Sequence, residues 1–217
     1  MTYLAALAAL VLPASAAGAQ AEASACELHV WPTPHLYAVF HGATARSILQ
    51  RNPAGEVLPR QNTQQMLIET AGGNFQSEAI DELRLDGAGR FAGHQVIFHP
   101  APAESRFANW IDRNIGAGTR ESASTAQCYS ELHVVFITHF KTALSKRIQT
   151  AFVFREFGPS GPATGWAVDA ASNSAPSFPS GSAAEDEQAR LDLRRAFQQN
   201  LRDFLGSRAM RRLRRPR

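Results

Sequence analysis

Two cysteines stand in this chain of 217 residues, and each introduces the same tetrapeptide: Cys26-Glu-Leu-His-Val30 and Cys128-Tyr-Ser-Glu-Leu-His-Val134. Joined, they close a loop of about a hundred residues, for which chain entropy gives roughly 4–5 kcal/mol, an upper figure because native strain subtracts from it. Strand parity supports the pairing. In extended chain Cys26, Leu28 and Val30 share one face, and Cys128, Leu132 and Val134 share another, so both sulfurs point where the apolar side chains point. The alternative is two buried thiols acting as small apolar groups.

The compartment decides between these states. Met1 to Leu12 is an apolar run of signal-peptide length, too short to span a bilayer as a helix. Ala17-Gly18-Ala19 and Ala19-Gln20-Ala21 both fit a small-residue cleavage site, which predicts a signal peptide over 1–19 and a periplasmic or secreted mature chain. No Lys or Arg precedes the apolar run. Outside the cytoplasm the disulfide is the natural state of two cysteines. Lipid anchoring at Cys26 is the alternative, since Ala23-Ser24-Ala25-Cys26 loosely resembles a lipobox. Glu22 interrupts the approach to Cys26, and a lipidated Cys26 would leave Cys128 as a lone thiol; both argue for the disulfide.

Charge divides the remainder in two. The net charge is +3, but six arginines lie between Arg208 and Arg217; without them sixteen basic residues face nineteen acidic ones, a balance of −3. The sequence therefore reads as one mildly acidic domain over 20–206 and a basic tail over 207–217. Arg208, Arg211, Arg212, Arg214 and Arg215 suit contact with phosphates of an anionic membrane surface, and no nucleic-acid partner is expected of an exported chain. A solvated tail with no partner is the plain alternative.

Periodicity places the elements. Residues 27–31 and 36–40 read as strands, with Pro32 and Pro34 forcing a bend or turn between them. Helices are predicted over 61–71, 76–85 and 103–115, and a strand over 94–98. Glu131–Phe140 and Ile148–Phe157 are rich in β-branched and aromatic residues and joined by a short link, which predicts an antiparallel hairpin. Ile148, Phe152 and Phe154 point one way while Ala151, Val153 and Phe157 point the other, as in a central strand covered on both faces. Trp166–Val168 reads as a short strand and 169–182 as a flexible loop. A final helix opens with the capping-box pattern Ser182-Ala-Ala-Glu185 and carries Ala189, Leu193, Ala196, Phe197, Leu201, Phe204 and Leu205 on one face, ending at Gly206. The expected fold is α+β: a mixed, largely antiparallel sheet with helices packed on it, a C-terminal amphipathic helix and one disulfide.

Catalytic signatures are scarce. The chain has no G-x-S-x-G, H-E-x-x-H, C-x-x-C or Walker A sequence, and nothing in it asks for a cofactor. The glycines from Gly87 to Gly93 precede a strand, so they read as a turn, not a phosphate loop. One constellation remains. Glu27 and His29 share a strand face, as do Glu131 and His133; a disulfide drawing the strands together would gather two carboxylates and two imidazoles, an oxygen and nitrogen set suited to zinc. Sheet residues making salt bridges and hydrogen bonds are the plainer reading. Arg155, at the end of a central strand, could bind a carboxylate or phosphate ligand or pair with a neighbouring acid.

The motifs Cys26-Glu-Leu-His-Val-Trp-Pro32, Cys128-Tyr-Ser-Glu-Leu-His-Val134 and Phe152-Val-Phe-Arg-Glu-Phe-Gly158 resemble a group of uncharacterised secreted envelope proteins of GC-rich Gram-negative bacteria. The resemblance covers these three segments and implies export without naming an activity. The order of elements is also similar to small α/β domains of curli-secretion-type assembly proteins, an analogy of architecture. Together these features point to a non-catalytic binding or assembly module of the cell envelope, its partner an envelope protein or polymer. A metal-dependent hydrolase using the Glu/His cluster is the alternative.

Overall fold

Apolar alternation is strongest between Glu131 and Phe157, and there the sheet is longest. In the computed structural model, which describes residues 26–40, 57–87, 89–103, 118–142, 145–159 and 161–213, β1 (Glu27–Trp31), β2 (Leu36–Phe40), β3 (Gln95–Phe98), β4 (Tyr129–Lys141), β5 (Lys146–Phe157) and β6 (Ala163–Ser174) form one sheet. The expected signal peptide, all but the first residue of the helix expected over 103–115, and Arg214 and Arg215 lie outside the described residues. The order is β3-β1-β4-β5-β6, with β2 pairing a further part of β4. The ladders β4–β5 and β5–β6 are antiparallel; β1 pairs β3 and β4 in parallel, and β2 pairs β4 in parallel. With α1 (Val57–Ala71), α2 (Gly73–Asp81) and α3 (Asp186–Leu205), this is the α+β fold.

The two prolines break a strand without reversing it. β1 lies along Tyr129–His133 and β2 along Ile137–Lys141, so the chain continues in one direction beside β4. Proline has no N–H to donate, so the ladder lapses between Trp31 and Leu36. Buried side chains stand in for it: Thr33 Oγ1 donates to Val135 O at 2.8 Å, and the Gln76 amide accepts from Thr33 N at 2.8 Å while donating to Thr33 O at 2.9 Å. Thr33 N, Thr33 O and Val135 O, all in buried residues, thereby keep partners where the ladder lapses. A bulge at Val134/Phe136 of β4 inverts strand parity there, so Leu132 and Val134 before it and Ile137 after it reach the same core.

The disulfide forms as expected. Cys26 and Cys128 are bonded, with Cα atoms 4.6 Å apart, at the starts of β1 and β4. Cys128 O accepts from Glu27 N at 2.9 Å, and Cys26 O accepts from Gln95 N at 2.8 Å, so the staple also sets where β1 meets both neighbours. The sulfur that a lipid anchor would require is in this bond.

One face of the sheet carries the main core. Leu28, Val30, Leu132, Phe152 and Phe154 meet Leu67, Ile80, Leu193, Phe197 and Phe204 from the helices. The stripe predicted on the last helix is that buried face of α3. Phe204 stacks on Phe152 with ring centroids 5.2 Å apart. At roughly 1.5–3 kcal/mol for each large apolar side chain, this docking outweighs any local helix propensity.

Three expectations need correction. Residues 169–174, expected as loop, extend β6, which pairs with β5 through Ser174. Small polar residues there give no alternation; the long partner strand imposes the conformation. Ser182 makes no side-chain cap: a 3-10 turn over Ala183–Glu185 precedes α3, and Glu185 reaches back to Gly181 N at 2.9 Å. The tail expected from 207 begins with α4 (Arg208–Arg211), capped by Ser207 Oγ accepting from Met210 N at 3.2 Å.

Candidate functional site

The face of the sheet opposite the main core carries the polar residues singled out by the sequence echo. Glu27, His29 and Trp31 alternate on β1; Tyr129, Glu131 and His133 on β4; Arg155 and Phe157 lie on β5. The echo does not pair with itself. Cys26 directly precedes its tetrapeptide, whereas Tyr129 and Ser130 follow Cys128; the ladder beside the disulfide therefore slips the repeat by two residues, placing His29 beside Glu131 and Trp31 beside His133.

Glu131 is the centre of the network. Its carboxylate is fully buried and accepts from Tyr129 OH at 2.8 Å and Glu121 N at 2.6 Å through one oxygen, and from His133 Nε2 at 3.1 Å and the Arg155 guanidinium through the other. Burial alone would raise its pKa, but the His133 hydrogen bond and the Arg155 charge outweigh burial and hold it below the usual carboxylate range. Burial depresses the pKa of His133 against the opposing pull of Glu131, so the ring is neutral with its Nε2 proton donated to the carboxylate. The Tyr129 hydroxyl is pushed up by burial and by the Glu131 charge.

Beside this network His29 bridges Glu27 Oε2 at 2.8 Å and His99 Nε2 at 2.7 Å. Glu27 also accepts from Ser124 Oγ; burial raises its pKa, and the bonds from His29 and Ser124 lower it further than that. The Trp31 ring lies between two imidazoles in nearly parallel planes, 4.1 Å from His99 and 4.7 Å from His133. Burial, the largest cause, holds the pKa of His99 below the usual imidazole range. A groove of about 590 Å³ runs past Glu27, His29 and Ile97 to residues 122–127.

The structure thus brings together Glu27, His29, Glu131 and His133, as the echo implied. Their donor atoms do not converge on one centre. Among the described residues, the group of His, Cys, Asp and Glu whose ligating atoms all lie within 4.8 Å of one another is Cys26, His94 and Cys128. The two-residue slip and the Arg155 guanidinium beside Glu131 account for this: a cation already sits where a metal would need the carboxylate. Arg155 itself reaches no solvent and bonds Glu121 at 3.1 Å as well as Glu131, so the pairing role, and not an open anion site, is what it fills. Sequence reasoning missed His99 and Glu121. Each comes from a loop, and neither carries a periodic signal.

At the opposite end of the chain the basic segment is anchored. Met210 is 4% exposed within the main core, and Leu213 packs against β6, close enough that a Cβ added at Gly165 would meet Leu213 Cδ1 at 3.3 Å. Arg208, Arg211 and Arg212 are exposed beside these anchors, and Arg211 donates to Gly206 O at the end of α3.

Comparison with known proteins adds little. No family model matches the chain, and no curated protein matches it. Among solved structures, the hypothetical protein CT253 from Chlamydia trachomatis is similar over 83% of this chain and 98% of its own, with 10% identity and a TM-score of 0.29. A likeness at that level carries no argument about fold or function.

Proposed function

We propose that this protein is an exported, non-catalytic binding or assembly module of the cell envelope, which meets an anionic surface through its basic C-terminal end. The observation that carries the reading is the seating of Met210 in the main core, because it holds Arg208, Arg211 and Arg212 as a patch on a folded surface. A fixed patch binds without first losing the conformational freedom of a tail. The internal use of Glu131 by four partners supports a binding role over a hydrolytic one, since the carboxylate best placed for acid–base work is already saturated. The motif resemblance to secreted envelope proteins points the same way.

Deleting 208–217 would be a poor test, because it also empties the Met210 site. The clean variant reverses Arg208, Arg211 and Arg212 to Glu, all three exposed. Sedimentation with phosphatidylglycerol-containing vesicles at low salt reads the outcome. At about 1 kcal/mol for each basic residue near an anionic surface, loss of three arginines weakens binding by roughly a hundredfold, and salt weakens the wild type similarly. Absence of wild-type binding, or equal binding by the variant, overturns the surface role.

A further inference from the structure

The staple itself stands within reach of a third metal-binding side chain. Cys26 Sγ, Cys128 Sγ and a ring nitrogen of His94 all lie within 4.8 Å of one another. His94 is held there by its surroundings. Gly93 adopts φ +76°, a conformation that side chains rarely tolerate, and its N–H donates to Asp86 O at 2.9 Å. His94 N donates to Phe91 O at 2.9 Å, and the Phe91 ring meets the imidazole edge-on at 5.7 Å. Yet His94 Nδ1 is buried with no hydrogen-bond partner. A buried polar atom ordinarily has one, and an exception calls for a reason. A cleft of about 250 Å³ lined by Asp81, Asp86, His94 and Gln95 opens beside the ring and gives solutes access to it.

We propose that the dithiol form of Cys26 and Cys128, together with His94, is a site for a borderline-soft divalent ion such as zinc, and that disulfide and metal are alternative occupants of one place. This goes beyond the envelope-binding role and does not rest on it. The chemistry closes in two steps. A small-molecule or protein dithiol gives two electrons and two protons to the disulfide, becoming a disulfide itself and leaving two thiols. Zinc then binds both sulfurs as thiolates and the imidazole as a neutral ligand, releasing the two thiol protons, with water in the fourth position. Tetrahedral zinc with Zn–S bonds of about 2.3 Å sets its sulfurs roughly 3.8 Å apart. Rotation about the two Cα–Cβ bonds reaches that separation while β1 stays paired with β4, because the cysteines precede both strands. In the reverse direction a small-molecule or protein disulfide takes the two electrons from the thiolates and two protons from solvent, becoming a dithiol; the Cys26–Cys128 bond re-forms, the ligands are lost and the ion leaves.

The test uses the purified full chain with cobalt as a spectroscopic stand-in for zinc. After reduction by a phosphine, wild type takes up one cobalt with thiolate-to-cobalt charge transfer in the near ultraviolet and the intense visible bands of a tetrahedral site. The oxidised chain shows neither. His94→Ala loses at least tenfold in affinity, and His94→Cys restores binding with stronger charge transfer. Circular dichroism on each sample shows whether the reduced chain keeps its fold. Absence of thiolate–cobalt absorption in reduced wild type overturns the site, whether or not that chain stays folded. So does a His94→Ala variant with unchanged affinity and spectrum, which would mean the thiols capture metal without the third ligand.

Discussion

The two faces of one sheet are built by different rules. From the same strands, Leu28, Val30, Phe152 and Phe154 enter an apolar core under the helices, while Glu27, His29, Glu131 and Arg155 enter a polar network on the other side. The apolar face is held by area, which is indifferent to direction. The polar face is held by pairing: Tyr129, His133 and Arg155 donate to Glu131, and His29 and Ser124 bond Glu27. The first face should therefore tolerate changes of shape, and the second should not tolerate the loss of one partner.

The largest expected effect tests the polar face. Arg155→Met leaves the Glu131 charge buried without its cation and should cost about 3–5 kcal/mol by urea unfolding. Adding Glu131→Leu to that variant should recover part of the loss; a double variant less stable than the single one would show that the network is not governed by pairing.

A single titratable group sharpens the contrast from the apolar side. His139 is fully buried against Phe178, and burial, assisted by the Lys146 charge, pushes its pKa down from 6.5 to about 4. Between those values the unfolded chain binds a proton that the folded chain refuses, so stability falls as pH drops from 6.5 toward 4. The full loss is about 3 kcal/mol. His139→Phe should flatten that part of the pH profile of thermal unfolding, and an unchanged slope would assign it to other groups.

Smaller effects complete the comparison. Trp31→Leu removes two parallel ring contacts and should cost about 1–2 kcal/mol. Phe152→Leu keeps most of the buried volume and should cost under about 1.5 kcal/mol. If the Phe152 substitution proves the more damaging of the two, the apolar face is as exacting as the polar one.

The same division explains what was legible in the sequence. The β4–β5 hairpin, the apolar stripe of α3 and the cysteine pairing each carry a local period or a count, and these survive folding. The Glu/His gathering was legible because it follows from parity and the disulfide together. Its geometry was not, since the two-residue slip of the echo depends on Tyr129 and Ser130 being counted into the ladder. His99 and Glu121 reach the network from segments without periodicity, and His94 reaches the disulfide through a glycine turn. The second half of β6 has no strand composition; its extended form is imposed by β5. The colinear course of β1 and β2 was hidden because Pro32 and Pro34 punctuate a turn and an interrupted strand alike.

The first described strand is also an interior one. β1 lies between β3 and β4, so a nascent chain carries Leu28 and Val30 without either neighbour until Phe98 has been added, and without the second until His133. Non-local pairing of this kind slows folding and leaves an unpaired edge open to the wrong partner. A ribosome that stops short of β4 therefore releases not a smaller domain but a sticky fragment, and quality control must treat it as such.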